Sequence, residues 1–102
     1  MLDLETIQIL IAEALSFHKD VVISKGRRRD ISDARSLFVY FSRKEGHALL
    51  DIAKFVSIQN RDAAQYHVDK IDGLVTRDKT VQAMYTKCTE KIKSYRKVVD
   101  NG

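Results

Sequence analysis

Proline is absent from this sequence, and only Gly26, Gly46 and Gly73 interrupt it before the terminal Gly102. Turn-rich β folds draw on both residue types, so their scarcity favours helices. Cys88 is the only cysteine, which excludes an internal disulfide and fits a reducing compartment. His18, His47 and His67 have no metal-ligand spacing between them and lie far from Cys88 in sequence, so zinc is not expected. No Ser or Cys carries the local signature of a nucleophile, and no Gly-x4-Gly-Lys-Ser/Thr phosphate loop occurs. No apolar run reaches membrane-spanning length. Asp3, Glu5 and Glu13 break up the start and no basic segment precedes them, so a secretory signal is not expected. These absences lead to the expectation of a soluble cytoplasmic protein that is not an enzyme and uses no metal, cofactor, nucleotide or membrane.

What is present fits one small domain. The 102 residues are 44% apolar, enough for a modest core without staples. The net charge is +4, and the excess of cations is concentrated in residues 25–44. Net charge speaks to partners rather than to fold, and this one leans toward a polyanion. Its densest stretch is "ISKGRRRDISDAR", which sets Lys25, Arg27, Arg28 and Arg29 around Gly26.

Apolar periodicity divides the chain into helices. Leu4, Ile7, Leu10, Ile11, Ala14 and Leu15 mark the first, with Asp3 as its N-cap and an end near Phe17-His18. Asp20 is expected to cap a short turn through Val21, Val22 and Ile23. After the basic loop, Ile31, Ala34, Leu37, Phe38 and Phe41 mark a long helix from about Asp30 to Lys44, stopped by Gly46. Ala48, Leu49, Ile52, Ala53 and Val56 form a shorter helix. "SIQN" reads as a turn with Asn60 capping the next helix, whose inward stripe is Ala64, Val68, Ile71 and Val75. A last helix begins near Asp78. Two helices joined by a tight polar turn, behind a longer helix, form a helix-turn-helix arrangement.

From about Ile7 to Leu74 the chain resembles the C-terminal DNA-binding domain of DnaA, the bacterial replication initiator. The resemblance is carried by "VISKGRRRDISDARSLFVYFSRK", where Ser24, Lys25, Arg27, Arg29, Ile31, Arg35, Tyr40 and Arg43 follow the family's order, and by "LLDIAKFV". It implies an all-α, Trp-repressor-like helix-turn-helix bundle of about five to six helices. It departs at the family signature Gly-Gly-Arg-Asp-His-Thr-Thr-Val, where this chain reads "SIQNRDAA". In the ungapped register Gln59, Asn60 and Arg61 stand for the signature's Arg, Asp and His, and Asp62 and Ala63 replace its threonines. That register keeps Ala64, Val68 and Ile71 inward. It also removes the threonine contacts, so recognition of the initiator's usual box does not carry over. Without a phosphate loop, neither does ATP-driven origin melting.

The resemblance implies double-stranded DNA as the partner, with Arg27 in the minor groove and Lys25 and Arg29 near the backbone; Arg28, in the same basic run, is a further DNA-binding candidate. A narrow minor groove concentrates negative potential and draws in Arg, and cations beside phosphates release counterions. The bland alternative is a solvated basic loop. Gln59, Asn60, Arg61, Gln65 and Tyr66 lie on the opening turns of the 60s helix, off its apolar stripe. Arg can pair with guanine, and Gln or Asn with adenine; the alternative is an ordinary polar face with Asn60 as a cap. Arg35, Arg43 and Lys54 are further phosphate candidates, with surface salt bridging of Arg35 and Arg43 to Asp33 or Asp51 as the alternative. His67 is expected on the helix surface.

Two segments are expected: residues 1–76 as the DNA-binding unit and 77–102 as a C-terminal helix. In that helix Val81, Tyr85, Cys88, Ile92, Tyr95 and Val99 recur at the narrow spacing of a coiled-coil seam. The seam either packs on the chain's own core or joins two copies in a homodimer. The expected function is sequence-specific DNA binding in replication initiation or its regulation. The rival is a protein-interaction module or transcriptional regulator that has the fold but not the initiator-box specificity.

Overall fold

The computed structural model describes residues 1–101. Six helices follow in order: α1 (Leu4–Leu15), α2 (Lys19–Val22), α3 (Arg29–Glu45), α4 (Leu49–Phe55), α5 (Arg61–Leu74) and α6 (Lys79–Asn101). No strand occurs among the described residues, so the fold is an all-α bundle. None of these helices is long and apolar enough to cross a membrane.

Each helix end has a local cause. Asp3 opens α1 by accepting from Thr6 N at 2.7 Å, and Asn60 opens α5 by accepting from Ala63 N at 2.9 Å. Asp78 does the same for α6 through Val81 N at 3.0 Å. At α2 the cap is His18, not Asp20: the extended His18 backbone turns Nδ1 toward Asp20 N at 3.2 Å. The ends of α1, α3 and α4 share one motif, in which a left-handed residue turns the chain and the next amide reaches back five residues. Gly46 fills that place after α3 with φ 113, which any side chain would strain. Ser16 and Ser57 fill it after α1 and α4, and α1 therefore stops two residues short of the Phe17-His18 expected from its pattern.

The core is built where α3 crosses its neighbours. Leu37, Phe38 and Val39 are fully buried, with Ile7 and Ile11 from α1, Ile52 and Val56 from α4 and its end, and Ile71 from α5. Phe38 stacks on Phe55 with ring centroids 5.6 Å apart, which fixes α4 on α3. On α5 the inward stripe is Ala64, Val68 and Ile71, the set that the ungapped register requires. The α6 stripe buries Val81 and Cys88 completely and half-buries Tyr85, Ile92 and Tyr95, while Val99 is 57% exposed. Tyr85 stacks on Phe41 of α3 at 5.4 Å. Lys91 pairs with Glu13 of α1 at 3.0 Å, and Arg96 pairs with Glu45 at the end of α3. The first half of the seam is thus spent on the chain's own core. Burial pushes the Cys88 thiol up to about 12, which leaves it protonated and inert.

Candidate nucleic-acid interface

The basic loop spans the gap between α2 and α3 and is held from below. Ser24 Oγ donates to Val21 O at 2.8 Å and accepts from Gly26 N at 3.4 Å. Arg35 of α3 donates to Ser24 O, so this half-buried cation props the loop from beneath. Gly26 is required by close approach: a Cβ there would come within 2.9 Å of Ile31 Cγ2.

The four loop cations differ in what they already hold. Arg28 grips Asp30 with two hydrogen bonds, at 3.0 and 2.8 Å. Arg29 lies 3.5 Å from Asp33 and also pairs with Asp78 at the start of α6. Lys25 and Arg27 are exposed and have no ion-pair partner among the described residues. Those two offer charge at no cost of release.

The loop does not stand alone. Lys25 and Arg35 share a pocket of about 180 Å³ with Val56, Ser57 and Ile58 of the α4–α5 turn and with His67 of α5. The structure therefore brings the basic loop, α3 and the turn before α5 to one place. Ser57 holds φ 55, and Ile58 N donates to Ala53 O at 2.8 Å, which sets how α5 leaves the turn. Gln59, Asn60 and Arg61 are exposed at that start. Tyr66 is 64% exposed, one turn further on. Gln65 is half-buried and donates to Asp69 at 2.8 Å. Lys54 is exposed on the last turn of α4. Arg43 is apart from this group. It lies eight residues, about 12 Å, along α3 from Arg35, and its guanidinium donates to His47 O at 3.0 Å. Neither Arg35 nor Arg43 pairs with Asp33 or Asp51; both use backbone carbonyls instead.

Sequence reasoning missed a polar group beneath the interface. His67 is half-buried rather than on the surface, and its Nδ1 meets Ser36 Oγ at 2.8 Å. Lys70 of α5 reaches Asp33 of α3 at 3.2 Å. One signal was there to read: Asp33 and Ser36 fall on the inner face of α3, beside Ala34 and Leu37, where a polar side chain needs a partner. Burial, followed by the Arg35 and Lys70 cations, pushes the His67 imidazole down from 6.5 to about 4. Above 6.5 neither the folded nor the unfolded chain holds this proton, and His67 costs nothing. As pH falls from 6.5 through about 4 the unfolded chain gains the proton first, so stability is lost over that window. Thermal melts at about pH 7 and about pH 4.5 are expected to differ less in His67→Gln than in the wild type. An equal drop in both assigns the acid loss to carboxylates.

No family model matches the chain. Over 84 residues it is 25% identical to the chromosomal replication initiator protein DnaA of Aliarcobacter butzleri (strain RM4018). The chain is similar to DnaA. The match takes in 81% of this chain and 19% of that protein, so the chain spans about a fifth of the relative's length.

Proposed function

We propose that this chain binds double-stranded DNA through two elements at once, the basic loop and the start of α5. The convergence of Lys25, Arg35 and the α4–α5 turn around one pocket supports this most. It sets unpaired cations beside the helix whose exposed first turns carry Arg61 and Tyr66. In this reading α4, the turn and α5 act as a helix-turn-helix, with α5 in the major groove. Arg27 enters the minor groove, and Lys25, Arg28, Arg29, Arg35 and Lys54 face phosphates. Arg43 belongs to the same reading at the far end of α3. The similarity to DnaA supports a role in replication initiation or its regulation, in the cytoplasm. Asp62 and Ala63 in place of the signature threonines argue for a target other than the initiator box.

An electrophoretic shift with mixed duplexes tests the binding, and selection from a random pool gives the preferred site. Arg61→Ala is expected to cost about 1–3 kcal/mol on that site and little on random DNA, because a bidentate base contact carries sequence information. Equal loss on every duplex moves Arg61 to the phosphates. A second reading, a protein-interaction module, is favoured by the exposed Asp62, Asp69 and Asp72 of α5 and by Leu50, exposed to 51%. Absence of any shift with mixed duplexes supports that reading instead.

A further inference from the structure

A line of polar contacts runs from the first turn of α3, next to the basic loop, into α5, and Asp33 is its centre. The Asp33 side chain is 3% exposed. Its Oδ1 pairs with Lys70 Nζ of α5 at 3.2 Å, and its Oδ2 faces Arg29 Nε at 3.5 Å without a hydrogen bond. Arg29 continues to Asp78 at the start of α6. Lys70 continues to Ser36 Oγ at 3.2 Å, which meets His67 Nδ1 at 2.8 Å. Ser36 Oγ donates to Ser32 O at 3.0 Å. Ser36 has one hydroxyl hydrogen, so it accepts from Lys70 and shares that hydrogen's two directions between Ser32 O and His67 Nδ1. His67 then lines the pocket that also holds Lys25 and Arg35. The line therefore starts at the first residue of α3 and ends beside the basic loop, after passing through α5.

Stability does not explain a buried carboxylate at this place. Taking a carboxylate and an ammonium out of water is costly for each ion, and well-packed apolar residues hold two helices at least as firmly. What apolar packing lacks is direction. An ion pair shared with hydroxyls has one good geometry, and its best-attested use is to fix register. The apolar contacts of Ala64, Val68 and Ile71 on α5 carry no such direction; the Asp33–Lys70 pair does.

We propose that Asp33 is a positioning residue for DNA recognition. It locks α5 against α3, whose Arg35 props the basic loop, so that minor-groove and major-groove contacts are made on the same duplex. This rests on the duplex-binding reading above. It adds that specificity depends on a residue that touches no DNA.

The test compares the full chain with Asp33→Asn and with the double variant Asp33→Asn, Lys70→Gln. Affinity is measured for the preferred duplex and for random duplex. In Asp33→Asn the ratio of the two affinities falls about tenfold, as expected for loss of coupling between two contact elements. Affinity for random duplex rises, because a negative charge has gone. A structural defect alone lowers both affinities. The double variant keeps the wild-type net charge and leaves no unpaired buried charge, so it provides a folded test where the single variant is too unstable. In it the ratio falls by the same factor while random-duplex affinity stays level. An unchanged ratio in either folded variant overturns the role of Asp33 and leaves the DNA reading intact. A wild type that binds no duplex overturns the DNA reading itself.

Discussion

Ending the chain at residue 78 is expected to abolish the cooperative thermal transition. Residues 79–101 form α6, which lies across α1 and also touches α3 and α5. It supplies Val81 and Cys88, both fully buried, and Tyr85, which stacks on Phe41 at 5.4 Å and meets Tyr40 edge-on at 5.8 Å. Each large apolar side chain taken from water contributes about 1.5–3 kcal/mol. Losing several of them, together with the surfaces they cover on α1 and α3, is comparable to the 5–15 kcal/mol or so that holds a whole small domain. Circular dichroism melts of the two lengths check this directly. A shortened chain that melts within a few degrees of the full one would mean that α6 is an accessory. Its stripe would then be available to a second copy, and sedimentation of the full chain would read the dimer. The half-buried Tyr95 and the exposed Val98 and Val99 are where such a contact would sit.

Arg27→Ala is expected to have the largest effect on general DNA affinity. Arg27 is exposed and has no ion-pair partner among the described residues, so its charge is free to meet phosphate or enter a minor groove. Removing it lowers the slope of log affinity against log salt by about one unit, for specific and random duplexes alike. The change in folding stability stays within about 0.5 kcal/mol, since the side chain is exposed. Arg28→Ala and Arg29→Ala make a useful contrast. Arg28 already grips Asp30, and Arg29 already holds Asp33 and Asp78. A duplex must compete with those carboxylates, so both substitutions lower the slope by less than Arg27→Ala does. A slope unchanged by Arg27→Ala takes that residue off the duplex.

Much of the helix layout could be read without coordinates. Asp3, Asn60 and Gly46 mark their helix ends because capping is settled by hydrogen bonds three to five residues long. The Ala64, Val68 and Ile71 stripe could be read because period alone decides which face of a helix is apolar. The end of α1 and the cap of α2 were misread for a matching reason. Ser16 adopts a left-handed conformation that its residue type does not announce, and His18 is not a common cap.

The amino-acid sequence by itself determined a helical chain, a cation-rich loop ahead of α3, and the polar opening of α5. These follow from composition and spacing within a few residues, which act before any helix meets another. Tertiary structure alone decided the long-range partners of those charges. Asp78 lies 49 residues from Arg29, and Asp33 and Lys70 belong to different helices, α3 and α5. Those partners meet only because apolar stripes pack α5 and α6 against α3. The same packing carried His67 under the loop and turned Ser36 toward it. A charge has one value in the sequence, but its electrostatic role depends on distance and burial, and both are set where helices cross.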